Sequence, residues 1–148
     1  MITYDYKSVE SDHEKSINCL KDEVLPLLKK YWDKYEKNSG EPLSINMMSF
    51  LNMWANDGLA IVIAYDDGKP VGIFMGAKYV PFMYKANTLQ VIALYGESSD
   101  ITDGLFNYVM SNTKFMGLTE IIVDDKMGVM PVAWQMKEAM IAKRYTRD

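Results

Sequence analysis

The sequence has one cysteine, one histidine and two arginines, and each shortage removes a class of chemistry. A single thiol, Cys19, excludes an internal disulfide, and its neighbours Ile17 and Leu20 place it at a half-buried helical position suited to a reducing compartment. A single imidazole, His13, leaves no multi-histidine metal site and no His-based triad within one chain; in "SDHE" it reads as a solvated helix start. The longest unbroken apolar run, "LAIVIAY" from Leu59 to Tyr65, is far short of the roughly 18 residues of a membrane helix. The amino-terminal "MITYDYKSVESD" has no basic segment ahead of an apolar one, so no signal peptide is evident. Internal repeats, low-complexity tracts and flexible linkers are missing, as are a Walker-type loop, zinc-ligand spacing and a Gly-x-Ser-x-Gly elbow. These absences leave one compact domain, residues 1–148, expected to be soluble and cytoplasmic, with no metal and no membrane association.

What is present is an ordinary globular composition, 49% hydrophobic and 24% charged, in a chain long enough to bury a core of its own. Net charge is −4 and no basic face stands out, so nucleic acid is not an expected partner. The 12 methionines suit irregular core gaps or an adaptable contact surface, and they do not indicate a cofactor. Both arginines, Arg144 and Arg147, fall near the end of the chain with Lys137 and Lys143 before them. They read as helix-end cations or as a basic tail that docks on an acidic partner.

Periodicity orders the elements. "ITYDY" alternates as a strand, and Ser11 to Glu14 has the spacing of a capping box. The apolar positions Ile17, Leu20, Val24, Leu28, Tyr31 and Tyr35, widened by Leu27 and Trp32, then trace one face of a long helix that Pro26 should kink or split. Ser44 can cap a second helix, "INMMSFLNMW". "LAIVIAY" and "PVGIFMGAKYV", joined by "DDGK", predict a hairpin. "NTLQVIALY" predicts a further strand, residues 102–115 a helix, "LTEIIV" a strand ending at Asp124 and Asp125, and "PVAWQMKEAMIAK" a last helix entered through Pro131. Asp124 and Asp125 read as a polar turn rather than a cation site. The result is an α/β domain, a mixed sheet flanked by helices in the order β-α-α-β-β-β-α-β-α.

The stretch "LYGESSDITDGLF", Leu94 to Phe106, occupies the strand-to-helix junction where many α/β enzymes hold a phosphate. It offers Gly96 and Gly104 but places Glu97, Asp100 and Asp103 between or beside them, with no Arg or Lys. Asp100 can cap the helix near Ile101 and Asp103 suits its first turn, so the carboxylates would satisfy the amides themselves.

The element order, "YDDGKPVGIFMG" as the hairpin, "FMYKANTLQVIALY" and "GLTEIIVDD" resemble a GNAT N-acetyltransferase domain across nearly the whole chain, and with "LPLLKKYWDKYE" a subgroup often encoded by bacteriophages. The resemblance implies a GNAT-like fold whose carboxyl-terminal strands are truncated, and a coenzyme A loop that has degenerated. In active members that loop carries an Arg or Gln and paired small residues, and a tyrosine after the fifth strand acts as acid. Neither is matched here, since only Gly104 stands for a family glycine and only Tyr145, beyond its usual place, for the acid. The expectation is therefore a non-catalytic binding or structural protein with no cofactor, and the bacteriophage resemblance implies one associated with a virion or acting on a host factor. Its partner, a protein or a second copy, would meet Met48 and Trp54, with Met47 and Met53 beside them, and Arg144 and Arg147. The alternative is a divergent acetyltransferase acting on an amine, with Glu97 as base and Tyr145 as acid, and with acetyl-CoA held through Ile92, Leu94, Gly96 and Gly104.

Overall fold

The structure is a computed structural model that describes residues 1–9, 11–35, 43–79, 88–111, 120–123 and 143–146. The first strand, β1 (Ile2–Lys7), is followed by α1 (His13–Cys19), a single π-helical turn (Leu20–Val24) and α2 (Leu25–Tyr35). Asp12, not Ser11, caps α1: its carboxylate accepts the amides of Glu14 and Lys15. The expected effect of Pro26 takes the form of the π turn. Proline has no N–H for the carbonyl four residues back and its ring crowds that carbonyl; the wider turn, in which the Leu25 amide bonds the Leu20 carbonyl, absorbs the misfit and lets the helix resume. The buried stripe runs through Leu20, Val24, Leu27, Leu28 and Tyr31, while Ile17, expected to belong to it, is 57% exposed.

Helix α3 (Met47–Ala55) begins after Asn46, whose side-chain oxygen accepts the Ser49 amide at 3.1 Å; this is the cap expected of Ser44. Strands β2 (Leu59–Asp66) and β3 (Lys69–Tyr79) form the expected hairpin. Its two loop residues, Asp67 and Gly68, have φ of 49° and 86°, the left-handed pair that matches the twist of flanking strands and that Asp-Gly adopts readily. Strand β4 (Thr88–Gly96) follows, then α4 (Ser99–Ser111), β5 (Glu120–Val123) and β6 (Lys143–Thr146).

The sheet runs β1-β2-β3-β4-β5-β6 in space, every neighbouring pair antiparallel except β4 and β5. That parallel pair is joined through α4, the kind of connection parallel neighbours need. Strand alternation divides the helices between two faces. Tyr4, Gly72 and Gly96 meet α4, whereas Met75 and Ala93 border α2 and α3. The core between them is drawn from Ile61, Ile63, Ile73, Phe74, Leu89, Leu94, Leu105 and Phe106, each under 2% exposed.

The last expected helix, residues 131–143, lies almost wholly outside the described residues, as do Asp124, Asp125 and Arg147. Where the sequence suggested helix-end cations, Lys143 and Arg144 instead open β6, which pairs with β5 in the register Val123↔Lys143 to Glu120↔Thr146. The truncation expected at the carboxyl end thus leaves β6 to cover the outer side of β5. Among the described residues no helix is long and apolar enough to cross a membrane.

Candidate functional site

Strand β4 departs from regular pairing at one residue. Met75 faces Ala93 and Gly76 faces Val91, so Ile92 is an extra residue on β4 and stands outside the ladder with β3. Such a bulge bends its strand and leaves local backbone groups unpaired. Gly76 permits it: a β-carbon there would lie 2.7 Å from Leu89 Cδ1 and 3.3 Å from the Gln90 carbonyl oxygen. Among the described residues the parallel ladder to β5 runs from Thr88↔Glu120 to Val91↔Val123, on the amino-terminal side of the bulge. Beyond the bulge, Ala93 to Gly96 resume the ladder with β3, from Met75↔Ala93 to Gly72↔Gly96. Ile92 is 40% exposed between Val91 and Ala93, which are 3% and 1% exposed.

A cavity of about 390 Å³ opens beside this point on the helical face. Tyr31 and Trp32 from α2, Phe50 and Met53 from α3, and Met75 from β3 form its walls, and Ile92 and Ala93 close it on β4. Three polar residues, Ser44, Asn46 and Ser49, line its rim, and Asn46 is already engaged as the α3 cap. Among the described residues, none lining the cavity carries a charge. The cavity walls follow from helix geometry: α2 anchors its Leu27 and Leu28 in the core, and α3 anchors Phe50 and Trp54, which meet edge to face at 6.2 Å.

At the far end of β4 the connection to α4 is two residues, Glu97 and Ser98. The cap is Ser98 rather than Asp100: its hydroxyl accepts the Ile101 amide at 3.4 Å and its carbonyl accepts from both the Thr102 amide and hydroxyl. Asp100 lies in the first turn, and Asp103 within the helix has one buried carboxylate oxygen with no hydrogen-bond partner among the described residues. Glu97 meets the Lys30 ammonium of α2 at 3.3 Å, and Lys34, one turn on, lies 5.8 Å from the centre of the Tyr95 ring. The loop without cations thus acquires two from a helix distant in sequence.

The residues singled out by sequence are dispersed. Ile92 is the bulge residue, whereas the Leu94 side chain is 1% exposed in the core. Gly96 packs under α4, where a β-carbon would sit 2.8 Å from the Thr102 nitrogen. Gly104 is inside α4 and makes room for Tyr4, whose hydroxyl a methyl group there would overlap. Tyr145 lies in β6 opposite Ile121, two strands from β4. Trp54, expected on a partner surface, is 3% exposed and donates its indole N–H to the Lys7 carbonyl at 3.1 Å; a large ring with a satisfied donor belongs to the core. Met48 is 73% exposed, with Met47, Leu51 and Met53 between 37% and 40%. The cavity residues Tyr31, Phe50 and Met75 were not anticipated, since their periodicity is that of any core-facing residue.

No family model matches the sequence, and no curated protein matches it. Solved structures do share its architecture. An aminoglycoside acetyltransferase from an uncultured soil metagenomic sample, in complex with sisomicin, aligns with a TM-score of 0.64 at 14% identity, covering 98% of this chain and 95% of that one. A ribosomal-protein-alanine N-acetyltransferase from Brucella melitensis biovar Abortus 2308 aligns at 0.62 with 15% identity, covering 97% and 91%. A predicted acetyltransferase from Clostridium acetobutylicum, with acetyl-CoA, aligns at 0.60 with 16% identity, covering 97% and 92%. The fold is that of the GNAT acetyltransferases. Within this GNAT fold, Ser98 caps the helix at the β4–α4 connection and Asp100 lies in its first turn, while Lys30 and Lys34 bring cations beside it.

Proposed function

We propose that this chain is a divergent acetyl-CoA-dependent N-acetyltransferase acting on an amine. The observation that carries the reading is a coincidence at one residue: Ile92 is both the bulge of β4 and part of the cavity lining. The backbone that the bulge takes out of the β3 ladder suits the acyl end of the donor, and Lys30 and Lys34 stand in for the missing loop cations at its phosphate end. Acetyl-CoA supplies an activated acetyl thioester: the amine nitrogen bonds the acetyl carbon, the carbon–sulfur bond breaks, and the proton leaving the nitrogen ends on sulfur.

The role of Ile92 is positional. Backbone donors fixed outside a ladder need no reorganisation to stabilise charge that develops on a carbonyl oxygen. Glu97 lies five positions beyond Ile92, just past the end of β4, about 16 Å at about 3.3 Å per residue, so any part it plays as base runs through water. A protein-binding role without catalysis is the second reading, favoured by the exposed Met47, Met48 and Leu51 on α3.

Calorimetric titration with acetyl-CoA separates the two, beside an Asp100→Ala and Asp103→Ala double variant. The transferase reading expects binding near the micromolar range, about −8 kcal/mol, equal or tighter in the variant. Silence from both proteins would sink it. A second arm deletes Ile92, which restores one-to-one pairing between β3 and β4; binding should disappear while the unfolding midpoint holds.

A further inference from the structure

The cavity on the helical face also says which amine, and this step rests on the transferase reading. We infer that the acceptor is a small primary amine with an apolar, ring-bearing body, an arylalkylamine, and not a polycationic sugar or a basic peptide. Three observations point there.

Size comes first. At about 390 Å³ the cavity is near the lower end of the roughly 300–1,000 Å³ range of ligand sites, room for one ring and a short chain. Shape and chemistry come next. Tyr31 and Phe50 are 8% exposed and Trp32 is half-buried, so fixed aromatic walls from α2 and α3 face Met53 and Met75. Aromatic walls reward a ring by offset or edge contacts, and methionine adapts to its outline. Charge comes last. Among the described residues the lining contains no carboxylate, so a ligand with several ammonium groups would lose hydration without compensation. One amine avoids that loss by binding in its neutral form, which an apolar surrounding favours and which is also the form that attacks a thioester. Its reactive end can reach the bulge, because Ile92 and Ala93 are the β4 wall of the same cavity. Ser44 and Ser49 at the rim are the polar groups left to orient it.

The test is calorimetric titration of the full chain, without acetyl-CoA, by 2-phenylethylamine and by sisomicin. Phenylethylamine should bind in the millimolar range or tighter, more strongly as pH rises, and sisomicin should not. Ser49→Trp, which fills the cavity from its rim, should weaken phenylethylamine by at least about tenfold with an unchanged unfolding midpoint; Met53→Trp serves the same purpose should Ser49→Trp unfold. Sisomicin binding more tightly than phenylethylamine, or phenylethylamine binding unaltered by both variants, overturns the assignment. Phenylethylamine binding without any acetyl-CoA binding would keep the pocket and remove the transferase reading instead, so the two failures are distinct.

Discussion

The Cys19 thiol shows how one residue's chemistry is set by its surroundings. Burial, the hydrogen bond to Glu23 and the charge of Glu23 push it up to about 12. It should therefore stay unreactive toward thiol reagents at neutral pH until the chain unfolds. The folded form holds the proton that the unfolded chain releases, so this contribution to stability is complete below about pH 9 and is lost as pH rises toward about 12. Cys19→Ala should flatten that part of the stability-versus-pH curve, read as the difference between the two proteins in urea. Gly104 is a second case. Ala in its place meets the Tyr4 hydroxyl, and the 5.5 Å stack of Tyr4 on Tyr108 has to shift. Overpacking of this kind costs about 1–3 kcal/mol, so Gly104→Ala should lower the urea midpoint even though alanine favours helices.

Elements are fixed by their ends and turns as much as by their stripes. The expected caps Ser11, Ser44 and Asp100 were each displaced by a neighbour one or two residues away, Asp12, Asn46 and Ser98. Clusters of Ser, Asp and Asn offer several equivalent oxygens, and the tertiary path of the incoming chain chooses among them. Asn46→Ala should cost about 1 kcal/mol, while Ser44→Ala should leave the unfolding midpoint unchanged. The β2–β3 turn was legible because its chemistry is narrow. Gly68 at φ 86° has open space around it, so Gly68→Ala should cost about 1 kcal/mol through backbone strain alone, measurable by chemical denaturation.

At the scale of the molecule, the proposed acetyl transfer should accelerate with pH, since among the described residues the cavity lining has no ionised base and the neutral amine is the reacting form; a rate flat across pH would require another base. The sequence by itself determined the element types and their order from β1 to β5, with the hairpin, because strand and helix periods and Asp-Gly turn chemistry act over a few residues; β6 it did not show. It determined too that the β4–α4 junction carries carboxylates and no cation. What only the tertiary structure decided are relations between distant residues. Lys30 reaches Glu97 across 67 positions, Ile92 bulges where Gly76, opposite Val91, lets β4 close in, and Trp54 is core because α3 lies against Lys7 at the end of β1. An apolar residue that walls a cavity and one that fills a core have the same local pattern. The difference is whether another chain segment occupies the space in front of it, and that is settled by how the helices pack on the sheet.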